Sequence, residues 1–316
     1  MDEYVMTYIA VIGSGTMAAG IAAGFIAEQY PVLVLGRNQA KVSQCLQKAV
    51  TLAQTISTQA AIREQSPSAL LAQQRGGDLD TWADWQDCIW VIETVAEDLA
   101  LKQAIFQSLD QRVPPHIPIG SNSSGFPISK IGHNLLTANR MIGAHYFMPA
   151  EIVPLVEIVL GEKSALAIAE QVCALYRQIH KKPVLVKRDI PGFLANRIQH
   201  ALMREALALV DAGIATPADI DDAVRYSFGF RYAAIGPMTQ KEISGWDGMA
   251  NAAKEIYPSL ANSQTIPPSL AQLMAEGKTG MKAGAGYRSW TPEEIKATTA
   301  LYSKRLKAAF DVLNME

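Results

Sequence analysis

The chain has 316 residues, of which 49% are apolar and 18% charged, with a formal net charge of −2. That length and apolar share provide for one large or two medium domains around a sizeable core and exclude a disordered chain. The near-zero charge lacks the basic footprint of a nucleic-acid binder, no run approaches the roughly 20 apolar residues of a membrane span, and the acidic start Met1-Asp2-Glu3-Tyr4 is unlike a signal peptide. No nucleic-acid or membrane partner and a cytoplasmic location are therefore expected.

The first predicted strand, residues 8–12, runs directly into Gly13-Ser14-Gly15-Thr16-Met17 and an Ala-rich helix. This is the geometry that cradles a dinucleotide pyrophosphate. The chain turns sharply at Gly13, Gly15 has no Cβ to block a phosphate, and the N–H groups of the helix start, at Thr16 and Met17, face the negative charge. Ala18 replaces the usual third glycine, and it is small enough to keep helix and strand close. The second strand, 32–35, follows at the spacing of one βαβ unit. At its end a carboxylate normally accepts hydrogen bonds from the adenosine ribose; here the position is Gly36, followed by Arg37. A guanidinium there suits a 2′-phosphate and tilts the expectation toward NADP; the alternative, stacking on adenine or plain solvation, leaves NAD as the cofactor. The polar, sparsely charged stretch 51–74 reads as a mobile helical arm.

The third predicted strand, 89–94, ends in carboxylates and a lysine. Glu97 and Lys102 leave the carboxyl edge of the sheet, where they are placed to contact the nicotinamide ribose. From spacing alone they suit a helix first turn and its solvated partner better. Further strands are expected at 117–121, 141–145, 153–159 and 183–186, alternating with helical stretches. The pattern predicts a doubly wound, mainly parallel α/β sheet over residues 1–187. Beyond that, apolar residues recur at helical spacing (Ile198, Leu202, Ala206, Leu209) and no strand is expected, so 188–316 reads as an all-α domain with loops at Pro267-Pro268 and 277–286. Cys45, Cys88 and Cys173 lie far apart and the five histidines form no ligand pair, so no disulfide framework and no metal are implied.

The strongest chemical signal is spread over three places: Ser121-Asn122-Ser123-Ser124, then Gly143-Ala144-His145-Tyr146-Phe147-Met148-Pro149, then Val153-Pro154-Leu155-Val156-Glu157-Ile158-Val159. A carboxylate inside an apolar strand is costly unless paired, and the imidazole of His145 is a natural partner for Glu157. Such a pair raises ring basicity, so His145 can remove a hydroxyl proton while hydride leaves the same carbon. Ser124 is placed to hydrogen-bond the substrate oxygen, and Asn122 to orient the nicotinamide or its ribose.

The set GSGTMAAGIA, VIETVAEDLALKQAIF, SNSSG, GAHYFMPAEIVPLVEIV, DIPGFLANRI and GKTGMKAGAGYRSW resembles the L-3-hydroxyacyl-CoA dehydrogenase family, in order and over essentially the whole chain. The resemblance implies a Rossmann domain joined to a helical domain that dimerises, substrate bound between them, and a His–Glu pair for NAD(H)-linked oxidation of a secondary alcohol. It also implies His145 as general base, Glu157 as its partner, Ser124 and Asn196 as substrate-side groups, and Glu97 and Lys102 as cofactor contacts. Two positions depart from the pattern: Met148 stands where the family has Asn, and Gly36 where it has a carboxylate. The stretch from Val210 to Pro237 is more similar to relatives acting on small hydroxy acids without CoA, such as gulonate and carnitine dehydrogenases and a dehydrogenase of pyridine-carboxylate breakdown. In that branch Arg231 would pair a substrate carboxylate, its alternative role being a capping or interface ion pair. Three activities remain open: oxidation of a 3-hydroxyacyl-CoA, the same chemistry on a free hydroxy acid, and cofactor binding with little turnover. Basic residues for CoA phosphates are few and read as scattered (Lys41, Lys48, Arg63), which argues against the first.

Overall fold

The computed structural model describes residues 7–313 and 315; the acidic tetrad Met1-Asp2-Glu3-Tyr4 lies outside the described residues. Eight strands, β1 (Tyr8–Ile12), β2 (Val32–Gly36), β3 (Arg75–Asp78), β4 (Cys88–Glu93), β5 (Ile119–Ser121), β6 (Met141–Tyr146), β7 (Leu155–Leu160) and β8 (Lys182–Val186), form one sheet in the order β3-β2-β1-β4-β5-β6-β7-β8. All neighbours pair in parallel except β6 with β7. Seven helices connect them: α1 (Thr16–Ala27), α2 (Gln39–Ile56), α3 (Ala60–Arg63), α4 (Pro67–Ala72), α5 (Leu99–Arg112), α6 (Ile128–Ile131) and α7 (Leu166–Gln178).

Strand β1 is buried along its whole length, and its side chains divide by the two-residue period of a strand. Ile9 and Val11 join the apolar cluster under α1, α2 and α7, while Tyr8, Ala10 and Ile12 join the one under α5 and α6. A sheet covered on both faces needs such uniformly apolar strands, and it is what the sequence displays. In α1 every residue from Ala18 to Ala27 is buried, which the Ala/Gly-rich sequence permits by letting the helix lie close to its neighbours. Because β1 has β2 on one side and β4 on the other, the chain reverses its winding there. The crevice for a ligand is at the carboxyl ends of β1 and β4.

Two features differ from expectation. Strand β3, Arg-Gly-Gly-Asp, has no strand propensity, yet it extends the sheet beside β2. Its glycines are a packing requirement: an added Cβ would come within 2.8 Å of Val42 at Gly76 and 2.5 Å of the Trp82 ring at Gly77. The stretch 51–74 is not a free arm. It completes α2 and folds back through α3 and α4, burying Ile62 and Leu70 in the core, with Gln54 Nε2 donating to the carbonyls of Ile62 and Gln65.

The chain divides into two compact units, Met1–Ala195 and Asn196–Glu316. The segment 188–195 packs within the first: Phe193 joins Val159 and Val186 in a small apolar cluster, and Asp189 accepts from the Ser129 N–H. The second unit consists of helices: α8 (Ala195–Asp211, whose first residue closes the first unit), α9 (Pro217–Arg225), α10 (Phe228–Ala234), α11 (Pro237–Ser244), α12 (Trp246–Ile256), α13 (Pro268–Ala275) and α14 (Pro292–Leu313). Thr216 and Asp219 close a capping box at the start of α9, and Pro268 opens α13 instead of lying in a loop. Among the described residues of this unit, Ala206 alone is buried. No described helix is long and apolar enough to cross a membrane.

Candidate active site

The glycine turn between β1 and α1 meets the requirements of a dinucleotide cradle. Gly13 has φ +115°, and an added Cβ would stand 2.9 Å from Thr94 Oγ1 and 3.2 Å from the Thr94 carbonyl, so only glycine fits. At Gly15 nothing lies within 4 Å of the Cβ position; a side chain would fill open space ahead of the helix. No side chain caps α1 and its first turn carries no acid, so its leading N–H groups, Thr16 and Met17 among them, are left for an anion. Thr94 Oγ1 is buried with no hydrogen-bond partner among the described residues, an unmet polar group in the crevice between β1 and β4. These features fit a pyrophosphate-bearing cofactor.

At the end of β2, the Arg37 guanidinium is engaged by Asp80, with Nε to Oδ2 at 3.0 Å and Nη2 to Oδ1 at 3.4 Å. Lys41 and Lys48 are not scattered: seven residues apart on α2, they line one open cavity of about 450 Å³ with Ser14, Gly15 and Thr16.

The end of β4 carries a buried network. Glu93 and Lys102 are fully buried, with Lys102 Nζ donating to both Glu93 oxygens at 2.9 and 3.1 Å and Ser121 Oγ donating to Glu93 at 2.6 Å. Lys102 Nζ also lies 3.4 Å from Glu97 Oε2. The ammonium expected at the cofactor is thus spent inside the protein, holding the strand end. Glu97 in turn accepts from Ser123 Oγ at 2.6 Å and from the Gly125 N–H at 2.8 Å, which ties down the serine loop that presents exposed Ser124. Burial alone would raise the Glu97 pKa; the Ser123 and Gly125 hydrogen bonds, with the Lys102 charge, outweigh it and hold the carboxyl below its ordinary range. Asn122 Oδ1 accepts from the Tyr146 N–H at 2.8 Å, fixing the chain one residue past His145.

His145 and Glu157 stand directly opposite each other in the antiparallel β6–β7 pair, and His145 Nδ1 lies 2.8 Å from Glu157 Oε2. Both are buried. The second carboxylate oxygen accepts from the N–H groups of Leu194 (2.9 Å) and Ala195 (2.8 Å) at the start of α8. Burial pushes the Glu157 pKa up, but the His145 hydrogen bond and those two N–H groups prevail, and it is lowered. An ionised Glu157 accepts a hydrogen bond from Nδ1–H, which keeps the proton on that nitrogen and leaves Nε2 as the basic one. Phe147 and Phe193 pack against the imidazole at centroid distances of 4.6 and 5.4 Å, fixing its plane. Asn196 is the residue after Ala195, and Arg231 lies exposed in the last turn of α10; both belong to the second unit. Among the described residues no group of three His, Cys, Asp or Glu is arranged to hold a metal.

The family model described as "3-hydroxyacyl-CoA dehydrogenase, NAD binding domain" matches residues 8–190, and the model of the same family's C-terminal domain matches 192–290. The chain belongs to the 3-hydroxyacyl-CoA dehydrogenase family. It is 32% identical over 309 residues to 5-formyl-3-hydroxy-2-methylpyridine 4-carboxylate 5-dehydrogenase of Mesorhizobium japonicum, covering 96% of this chain and 97% of that one. It is also 32% identical to L-carnitine dehydrogenase of Streptomyces coelicolor, over 81% of this chain and 80% of the relative. A crystal structure of a 5-formyl-3-hydroxy-2-methylpyridine 4-carboxylic acid 5-dehydrogenase, described as an NAD+ dependent dismutase, superposes with a TM-score of 0.87 at 30% identity, covering 98% of this chain and 99% of that one. The (S)-3-hydroxybutyryl-CoA dehydrogenase of Ralstonia eutropha gives 0.72 at 27% identity, over 90% and 99%. As a member of this family, the protein is an oxidoreductase that interconverts a secondary alcohol and a ketone by hydride transfer, with NAD bound by its first domain.

Sequence reasoning missed Glu93, Thr94, Asp80 and the two backbone donors to Glu157. Glu93 was open to the argument that singled out Glu157, a carboxylate ending an apolar strand. Asp80 and the donors lie outside any local pattern, and only the fold brings them in.

Proposed function

We propose that the protein oxidises a small free hydroxy acid, or reduces the corresponding oxo acid, with NAD as hydride carrier and without CoA. The His145–Glu157 contact carries the chemical part of this reading. His145 Nε2 takes the hydroxyl proton, and ionised Glu157 stabilises the imidazolium that forms. The bound nicotinamide supplies the hydride acceptor. Ser124 donates to the substrate oxygen as charge develops on it, and Asn196 serves as a second substrate-side group. Gly13, Gly15, Thr16, Met17, Glu97 and Asn122 shape the cofactor site, and Arg231 pairs the substrate carboxylate. In the reverse direction His145 is the acid that protonates the carbonyl.

The free-acid choice is supported by full-length likeness to a pyridine-carboxylate dehydrogenase, at a TM-score of 0.87 against 0.72 for a hydroxybutyryl-CoA enzyme. The CoA reading keeps one observation in its favour, the convergence of Lys41 and Lys48 on one cavity, which suits phosphate groups. A panel of free hydroxy acids, aromatic formyl and hydroxymethyl carboxylates, and 3-hydroxyacyl-CoAs, each with NAD+ and NADP+, separates the two. Turnover confined to CoA thioesters would reject the proposal.

We further infer a homodimer built through the second unit, working in the cytoplasm. Support for the dimer comes from the apolar surface of that unit, where Ile198, Phe230, Met238 and Ile243 are each at least two-thirds exposed. The three free, buried cysteines suit a reducing compartment.

A further inference from the structure

Arg37 stands where the sequence points to a 2′-phosphate site, yet its guanidinium already holds a carboxylate on two nitrogens. That carboxylate, Asp80, follows the unanticipated strand β3, whose Asp78 lies in register with Gly36. Exposed ion pairs are usually loose, and both side chains here are more than half exposed. This loop, however, is fixed from two sides. Arg112, on α5, donates to the carbonyls of Leu79 (2.8 Å), Asp80 (3.0 Å) and Trp82 (3.3 Å), and Asp78 Oδ1 accepts from the N–H groups of Asp80 (2.9 Å) and Thr81 (3.1 Å). Asp80 is therefore presented to Arg37 by a preorganised backbone. At Gly36 itself the atoms nearest an added Cβ are those of Val42, at 3.0 Å, and the Ser14 side chain, at 3.7 Å, so the place usually taken by a ribose-binding carboxylate adjoins the glycine turn.

We propose that Asp80 is the residue by which this site selects the unphosphorylated dinucleotide, standing in from the turn after β3 for the carboxylate that β2 lacks. This rests on the dinucleotide-site reading given under the proposed function. Asp80 acts in two ways. It occupies the donors that a 2′-phosphate would need, and with Asp78 it places negative charge beside the position where that phosphate would stand. Arg37 is left as a neutralised, planar surface next to the adenosine, without a free charge to reward NADP.

Isothermal titration of the full-length protein with NAD+ and NADP+ tests the assignment without relying on turnover. In Asp80→Asn, whose backbone carbonyl still serves Arg112, the NADP+ dissociation constant should fall about tenfold, the effect of about 1.4 kcal/mol, with NAD+ changed by less than about threefold. Adding Arg37→Ala should erase the gain, and Arg37→Ala alone should leave the wild-type preference for NAD+ standing. An unchanged NADP+/NAD+ ratio in Asp80→Asn, loss of NAD+ binding in that variant, or tighter binding of NADP+ by the wild type would each overturn the selectivity role. Failure of the wild type to bind either nucleotide would overturn the dinucleotide site as well.

Discussion

His145 is held on one nitrogen by a carboxylate and on two sides by rings, an arrangement that commits Nε2 to proton transfer. Replacing it with Ala should lower kcat by about 10²–10⁴-fold, the range of a lost general base, while the NAD+ dissociation constant from titration stays within about twofold. A variant with wild-type kcat would refute the assignment. Glu157 acts through the ring, so Glu157→Gln should lower kcat by less than His145→Ala does, but still by orders of magnitude. It also has a signature in stability. A carboxyl whose pKa is lower folded than unfolded adds stability that is complete above the unfolded value and lost as pH falls through the folded one. The Glu157 pKa is lowered, against burial, by His145 and the Ala195 and Leu194 N–H groups. The melting temperature of the wild type should accordingly decline as pH drops below the ordinary carboxylate range, and Glu157→Gln should show a shallower decline there. Identical acid profiles would mean that the pair is not ionised in the folded protein.

At the scale of elements, the site depends on how strand ends are tied together. The carboxyl ends of β4, β5 and β6 are joined by Glu93–Ser121 and by Asn122–Tyr146, and Lys102 in α5 neutralises Glu93 in the interior. Lys102→Met would leave a buried carboxylate uncompensated. Urea denaturation should register a loss of about 3–5 kcal/mol, much of it recovered in the double variant with Glu93→Gln, because two neutral groups can be buried where one unpaired charge cannot. If the single variant is as stable as the wild type, the ion pair does not hold this edge. The pairing also explains why a lysine resembling a cofactor contact is found inside the protein: an ammonium nine residues beyond Glu93, one helical turn into α5, reaches the carboxylate before it reaches solvent.

Across the whole molecule, the two units differ in how much core they own. The first buries a sheet between two helical layers, whereas the second, among its described residues, buries only Ala206. Helices with so little interior gain most of their stability from what covers them. Light scattering should therefore give a particle of about twice the 34.2 kDa chain mass, and the melting temperature should rise with protein concentration. A monomer with a concentration-independent transition would contradict the dimer.

The amino-acid sequence by itself determined what depends on local period and local sterics. The all-apolar β1, the glycine turn that follows it, the helical spacing after Leu194 and the cost of Glu157 in an apolar strand are each readable along the chain. His145 and Glu157 could be paired in advance because an isolated charge in β7 demands a partner, and the structure places them opposite each other in register. What only the tertiary structure decided involves groups without a local signature. Strand β3 forms because glycines allow close packing against Val42 and Trp82, not through propensity. The stretch 51–74 is anchored by Ala53, Ile62 and Leu70, buried among many polar side chains. Arg37 meets Asp80 across 43 residues of chain, and Lys102 turns inward. In each case a charge or a short segment had several satisfactory environments, and the partner that won was the one delivered by a neighbouring strand or helix.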